Sequence, residues 1–383
     1  MSRTITPSAA LEPYQSALFE LAEQSRLRTL EKRLGHDFSS NDYLGLAASK
    51  RLSRAVSAAL ARGTAIGAGG SRLLRGNHPE HEELEAAAAA FLHAESTLFF
   101  GSGYVAIFAL FSTLPQRGDL VILDELIHAS VREGARAGRA ASVDARHNDF
   151  TSVEAAIRTW RAGGGRGRIW IAVESLYSMD GDRAPLDELM TLADRHEAFL
   201  VIDEAHATGV FGPDGCGLAA SFEGLENVIA LHTCGKALGT AGALLSLPRT
   251  LRDFLVNRCR SFIFSTAPSP LMAVAALEAL KILKEEPERR EHLTRLVRFA
   301  SREAHARCGL PASGSQIMPV IIGDDRRTMQ IAAKLGERGF DVRGIRPPTV
   351  PSGTARLRIS LTLNVDEAAI AELFDALAEL QVV

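Results

Sequence analysis

The sequence predicts an α/β protein with a large domain built on a mostly parallel sheet and a smaller α+β unit at the C-terminus. Two observations carry this. Through the middle of the chain, short apolar runs such as "DLVILDE", "RIWIAVES" and "FLVIDEAH" alternate with stretches of helical periodicity, the pattern of parallel strands covered by helices. At 383 residues the chain is too long for one small core but suits a large domain plus a lesser one.

Taken in order, residues 11–34 carry apolar positions at helical spacing and end near Gly35, so a first helix is expected there. "HDFSSNDYLGLA" follows as a lead-in arm, and "GTAIGAGGSRLLRGN" (63–77) suits a loop that wraps something. "HPEHEELEAAAAAFL" opens a helix with Asn77 or His78 near the cap and Pro79 in the first turn. Then come "STLFF", helix 104–114, "DLVILDE", helix 129–138, "RIWIAVES", helix 186–196, "FLVIDEAH", "NVIALHT" and "GALLSL", with "GGGRGR" (163–168) as a surface turn. After "STAPSP" a helical pattern over 271–308 leads to the short strands "IMPVIIG", "FDVRGI" and "ARLRISL". The expected division is an N-terminal helix and arm over 1–45, a large domain over 46–270 and a small domain over 271–383. There is no internal repeat.

Composition narrows the function. The 43 Lys+Arg against 46 Asp+Glu leave a net charge of −3, too little to gather nucleic acid or anionic lipid. Cys216, Cys234, Cys259 and Cys308 lack the spacing of a disulfide framework or a zinc ribbon, so reduced thiols and no metal are expected. The N-terminal stretch has no apolar core before a cleavage site, and no run is long enough to span a bilayer. A soluble, cytoplasmic protein is the expectation.

The motifs are individually ambiguous. "LHTCGKALGTAG" sets Lys236 among glycines and small residues just past an apolar run, where a solvated lysine needs no such setting and open α/β sheets bind ligands. "FFGSGYVAIF" fits a relaxed dinucleotide fingerprint, with Asp124 placed 21 residues past Gly103, so a nicotinamide-dependent oxidoreductase is a rival; glycines opening a helix also form a general phosphate cradle, or a turn with no ligand. "FLVIDEAHATGVFG" ends a buried strand on Asp203, Glu204 and His206, and an ionised carboxylate there calls for a cation, although local capping is an equal reading. Its D-E-A-H letters lack the phosphate loop a helicase needs. His128 past "DLVILDE" reads first as a helix cap, and Glu174 and Ser178 lie past "RIWIAV".

Convergence changes the odds. Gly103, His128, Ser178, Asp203 and Lys236 follow separate strands at one sheet edge. A lysine for a Schiff base, an acid for a pyridinium nitrogen, a helix N-terminus for a phosphate and a histidine for a ring face are what pyridoxal phosphate requires.

"SSNDYLGL", "GAGGSRLLRGNHPEHEELE", "GSGY", "HAS", "SMDGDRAPL", "DEAHATGVFG", "TCGKALG", "FIFSTA" and "IRPPTVPSGTARLRIS" occur here in one order, and over about residues 26–365 the chain resembles the α-oxoamine synthases of the aspartate-aminotransferase fold. It departs from them at Ile107 and Ala207, which read as packing changes. The resemblance implies fold type I of the pyridoxal phosphate-dependent transferases, a homodimer, and condensation of an amino acid with an acyl thioester; the motifs favour L-alanine and a pimeloyl thioester on coenzyme A or acyl carrier protein, in biotin synthesis. Glycine or serine with another acyl chain is the alternative. Position by position, it implies that Gly103 and Tyr104 give backbone N–H groups to the phosphate, joined by the Thr233 hydroxyl and by Ser265 and Thr266 of the partner subunit. His128 would stack on the ring, Asp203 would meet its nitrogen, Ser178 and His206 its phenolic oxygen, and Lys236 its aldehyde. His206 would also serve as proton donor. Arg28, Asn41, Arg346 and Thr349 match substrate-binding positions, Arg346 for the amino acid carboxylate.

Overall fold

The structure is a computed structural model that describes residues 10–380; residues 1–9 of the expected arm and 381–383 of the expected small domain lie outside the described residues. In chain order the elements are α1 (Glu12–Glu23), β1 (His36–Asp37), α2 (Lys50–Ala61), α3 (Pro79–Phe91), β2 (Ser96–Phe100), α4 (Gly103–Thr113) and β3 (Leu120–Asp124). Next come α5 (Ala129–Ala137), β4 (Ala141–Ala145), α6 (Phe150–Ala162), β5 (Ile169–Glu174), α7 (Leu186–Arg195), β6 (Phe199–Asp203), β7 (Val228–Thr233) and β8 (Ala243–Leu247). The chain ends through α8 (Arg249–Arg258), α9 (Arg260–Ile263), α10 (Pro270–Glu285), α11 (Glu288–Cys308), β9 (Ile317–Gly323), α12 (Asp325–Glu337), β10 (Phe340–Asp341), β11 (Arg343–Ile345), β12 (Ala355–Ser360) and α13 (Glu367–Glu379).

Two compact units result. The larger comprises Asn41–Arg295 with Thr362–Asn364, and the smaller gathers the N-terminal segment with Leu296–Leu361 and Val365–Val383. The larger unit holds a seven-stranded sheet in the order β2-β8-β7-β6-β5-β3-β4. Only β8 runs antiparallel to its neighbours, so six strands end at the same edge. Alternate residues along the strands feed two apolar layers. Val121, Leu123, Trp170, Val201 and Leu231 pack with α4 and α5 on one face, and Ile122, Ile171, Val173, Leu200 and Ile202 pack with α6 and α7 on the other. The sheet is therefore covered on both faces, which is why its central strands read as unbroken apolar runs. Ile107 is buried in the first of these layers and Ala207 is fully buried.

The smaller unit carries the three-stranded antiparallel sheet β11-β12-β9 and a short parallel pair of β1 with β10. "FDVRGI" is split between β10 and β11, which belong to these two different sheets.

Three expectations change. The first helix stops at Glu23 rather than continuing to 34, and Ser25 takes a left-handed φ of 56° that ends it. The pattern over 271–308 is two helices, α10 and α11, because Pro287 between them supplies no N–H for the helical ladder. The helix α10, expected to open the small domain, packs against α2 and α3 and is part of the larger unit. Among the described residues no helix is long and apolar enough to cross a membrane, and no group of three His, Cys, Asp or Glu side chains could hold a metal ion.

Candidate active site

The shared edge of the parallel strands collects the expected residues of the larger unit. Gly103 and Tyr104 open α4, whose first-turn N–H groups have no partner within a helix. A Cβ on Gly103 would lie 3.6 Å from Thr233 Oγ1, so the start of α4 faces the hydroxyl that ends β7. Ser102 caps this helix through Val105 N at 3.3 Å. His128 caps α5, its Nδ1 accepting from Ser130 N at 3.3 Å, and its ring meets the Tyr104 ring edge-on with centroids 6.4 Å apart. His128 is thus both a helix cap and a neighbour of Tyr104 at this edge. Burial holds its pKa below the ordinary histidine value; the charge of Asp203 opposes that shift and Lys236 adds to it.

Asp203 ends β6, buried to 7 % exposure, with Oδ1 accepting from Ala205 N at 2.9 Å. In register beside it on β5 stands Glu174, which is 2 % exposed. Its Oε2 accepts from Ser178 N at 2.9 Å while Oε1 has no hydrogen-bond partner. Burial first, and then the Asp203 carboxylate, push the Glu174 carboxyl up to about 8, with Lys236 pulling the other way. Burial and the neighbouring Asp203 charge thus both favour the protonated form of Glu174.

Lys236 lies three residues past β7, with Nζ 2.7 Å from His206 Nε2. His206 Nδ1 is 2.6 Å from the Tyr43 hydroxyl, and that hydroxyl donates to Asn41 Oδ1 at 3.0 Å. Asn41 and Tyr43 come from the arm motif "SSNDYLGL". The glycines around Lys236 do more than clear space. Gly239 closes the turn by donating N–H to Lys236 O at 2.8 Å, with φ at 63°, and a Cβ there would sit 2.4 Å from the carbonyl carbon of Leu46. Gly242, with φ at 105°, packs against the Phe99 ring.

A second set of groups fixes the Ser178 loop, and sequence reasoning missed it. His147 Nδ1 lies 2.9 Å from Asp124 Oδ1 and its Nε2 lies 2.8 Å from Asp182 Oδ2, while Asn148 Nδ2 donates to Asp182 at 2.7 Å. Burial works against the imidazolium, but the hydrogen bonds to Asp124 and Asp182 prevail and raise His147 to about 10. The arrangement also removes the dinucleotide reading. Asp124, the candidate ribose acid, spends its oxygens on His147 and on the backbone N–H groups of Leu126 and Asn148, and is only 5 % exposed.

Arg28, Arg346 and Thr349 are gathered in the smaller unit, where Arg28 donates to Thr349 Oγ1 at 3.4 Å. Arg346 donates to Leu27 O at 2.6 Å and to Gly344 O at 3.2 Å. Its Nε has no partner, and burial followed by the charge of Arg28 lowers its pKa. Both arginines line a cleft of about 530 Å³. Ser265 and Thr266 are exposed, just before Ala267, which bonds to Gly70 O of the 63–77 loop at 2.9 Å.

Residues 35–377 match the family "Aminotransferase class I and II". A relative from Anaeromyxobacter dehalogenans (strain 2CP-1 / ATCC BAA-258), named 8-amino-7-oxononanoate synthase, is 44% identical over 342 residues, which cover 88% of this chain and 84% of the relative. The fold is similar to a high-resolution structure of SPT with a PLP internal aldimine, with a TM-score of 0.87 at 25% identity over 98% of this chain and 99% of that one. It is also similar to the 8-amino-7-oxononanoate synthase of Francisella tularensis, with a TM-score of 0.75 at 27% identity over 90% of this chain and 97% of that one. An open sheet edge where a lysine, an aspartate and two histidines converge agrees with these likenesses, and the chain belongs to the aminotransferase class I and II family and, within it, to the 8-amino-7-oxononanoate synthases.

Proposed function

We propose that the chain condenses L-alanine with a pimeloyl thioester, releasing carbon dioxide and the free thiol carrier and yielding 8-amino-7-oxononanoate for biotin synthesis. The observation that carries the reading is the meeting of Lys236, His206 and Asp203 at the edge where the parallel strands end. Pyridoxal phosphate is the cofactor, and the residues fit it. A buried acid, an amine and the opening of a helix facing a hydroxyl match its ring nitrogen, aldehyde and phosphate in turn. When bound it supplies an electron-accepting ring conjugated to the amino acid.

The side chains then have distinct jobs. The first N–H groups of α4 and the Thr233 hydroxyl hold the phosphate. Asp203 would hold a proton on the ring nitrogen, His128 would face the ring, and Ser178 with His206 would bind the phenolic oxygen. Arg346 pairs with the alanine carboxylate, with Arg28, Asn41 and Thr349 around the substrate. Lys236 Nζ takes the α-proton of alanine. The α-carbon would bond to the thioester carbonyl carbon as the carbon–sulfur bond breaks, the departing thiolate taking a proton from solvent, and His206, once Nε2 has taken a proton from Lys236, would give a hydrogen bond to the oxygen that becomes charged. Loss of carbon dioxide and return of a proton to the α-carbon from Lys236 complete the balance.

The protein is proposed to work as a cytoplasmic homodimer. Support comes from Ile66, Leu74 and Phe264, which are 73 %, 80 % and 71 % exposed on the two segments that bond to each other at Gly70 and Ala267. Such apolar exposure is what a subunit interface covers. Mixing a Lys236→Ala chain with a Ser265→Ala/Thr266→Ala chain should restore activity, and a fully active monomer in sedimentation would refute the dimer.

The reaction itself is tested by incubating the holoenzyme with alanine, glycine or serine and a series of acyl thioesters, on coenzyme A and on acyl carrier protein, following carbon dioxide and product mass. Alanine with pimeloyl is expected to dominate. Faster turnover of glycine or serine with another acyl chain would make the chain a different α-oxoamine synthase.

A further inference from the structure

We infer that Tyr43 is a positioning residue that holds His206 with its proton on Nδ1, so that Nε2 faces Lys236 as a proton acceptor. The inference rests on the proposed role of Lys236 as the cofactor lysine. Its ground is a directional chain of hydrogen bonds. Tyr43 is fully buried and has one proton, which its hydroxyl gives to Asn41 Oδ1 at 3.0 Å. At 2.6 Å from His206 Nδ1 the same oxygen then serves as acceptor, and a neutral imidazole with its proton on Nδ1 presents a lone pair at Nε2. That lone pair lies 2.7 Å from Lys236 Nζ.

The consequence is chemical. A lysine must be an uncharged amine before it can add to an aldehyde. In this arrangement the ammonium of Lys236 passes a proton to His206 Nε2, leaving an amine and an imidazolium, so no proton is lost or gained overall. Tyr43 then accepts from Nδ1–H of a charged ring, and hydrogen bonds to charged groups are roughly twice as strong as neutral ones. The tyrosine thereby favours the state in which the amine is free. Asp203 and Glu174 at the ends of β6 and β5, and His128 capping α5, also act electrostatically on this edge. None of them is altered by a change at Tyr43.

The test uses the full chain freed of cofactor. Pyridoxal phosphate is added, loading is followed by its absorbance over a range of pH, and borohydride trapping locates it. Tyr43→Phe is expected to load about tenfold more slowly at neutral pH and to recover at high pH, where lysine loses its proton unaided, so that the profile moves up by about one unit. An unchanged profile, or slowing by the same factor at every pH, would overturn the inference. Should that variant not fold, ¹⁵N-histidine spectra of the wild-type apoprotein, with His206→Gln for assignment, give the same answer: Nδ1 protonated and Nε2 bare supports it, and the reverse tautomer defeats it. If the wild-type chain itself does not load at Lys236, the proposed role of the lysine fails instead.

Discussion

Replacing Asp203 with asparagine is expected to reduce turnover by roughly 10³-fold, the scale on which one preorganised electrostatic partner acts in an active site. The substitution is nearly isosteric. The amide oxygen can still accept from Ala205 N, which Asp203 Oδ1 holds at 2.9 Å, so the turn into "EAHATG" stays formed and the unfolding midpoint should change little. What disappears is the negative charge proposed to keep a proton on the ring nitrogen. The charge also acts on its neighbours. It raises the Glu174 carboxyl and counters the burial that lowers His128, so both should titrate lower in the variant. The decisive measurement is exchange of the alanine α-proton in deuterated water, which reads electron withdrawal before any acyl transfer. Near-normal exchange by a folded, cofactor-loaded Asp203→Asn protein would remove the role assigned to Asp203.

Replacing Gly239 with alanine should be the most damaging small change near the site. The position has φ at 63°, and a methyl group would sit 2.4 Å from Leu46 C and 2.5 Å from Ala47 N, both backbone atoms. Left-handed backbone costs about 1–2 kcal/mol for a residue with a Cβ, and the collision can be relieved only by moving one of the two segments. Because Gly239 N donates to Lys236 O, the segment that gives way carries the lysine. A loss of roughly 3 kcal/mol or more in urea unfolding is expected, together with weakened cofactor loading. Wild-type stability and loading would mean that the contact between the lysine loop and the Leu46–Ala47 backbone is not constraining.

Much of the site was legible because each principal residue closes a run that burial keeps apolar. Asp203 and Thr233 are the last residues of β6 and β7, and Lys236 follows at once, so their common edge could be read from strand boundaries alone. The features that escaped are those without an apolar signature. The strand β4 is an edge strand with four of its five residues exposed, so "ASVDA" carries no hydrophobic run, and His147 just beyond it went unnoticed. Tyr43 meets His206 across 163 positions, a distance no local periodicity spans. Pro287 did carry a signal that the helical pattern over 271–308 should break, since a helix interior does not tolerate the missing N–H. Gly239 and Gly242 near Lys236 are required by backbone approach and positive φ, neither of which the run of small residues discloses by itself.

Lys236, 2.7 Å from His206, is the lysine proposed to carry the cofactor. The chain has six lysines, at positions 32, 50, 236, 281, 284 and 334, so borohydride reduction of the loaded protein followed by peptide mass mapping has one correct outcome and five wrong ones. The added cofactor mass is expected on the peptide containing Lys236, and its loss is expected in Lys236→Ala. Cofactor mass on any other lysine, or none after incubation with pyridoxal phosphate, would contradict it.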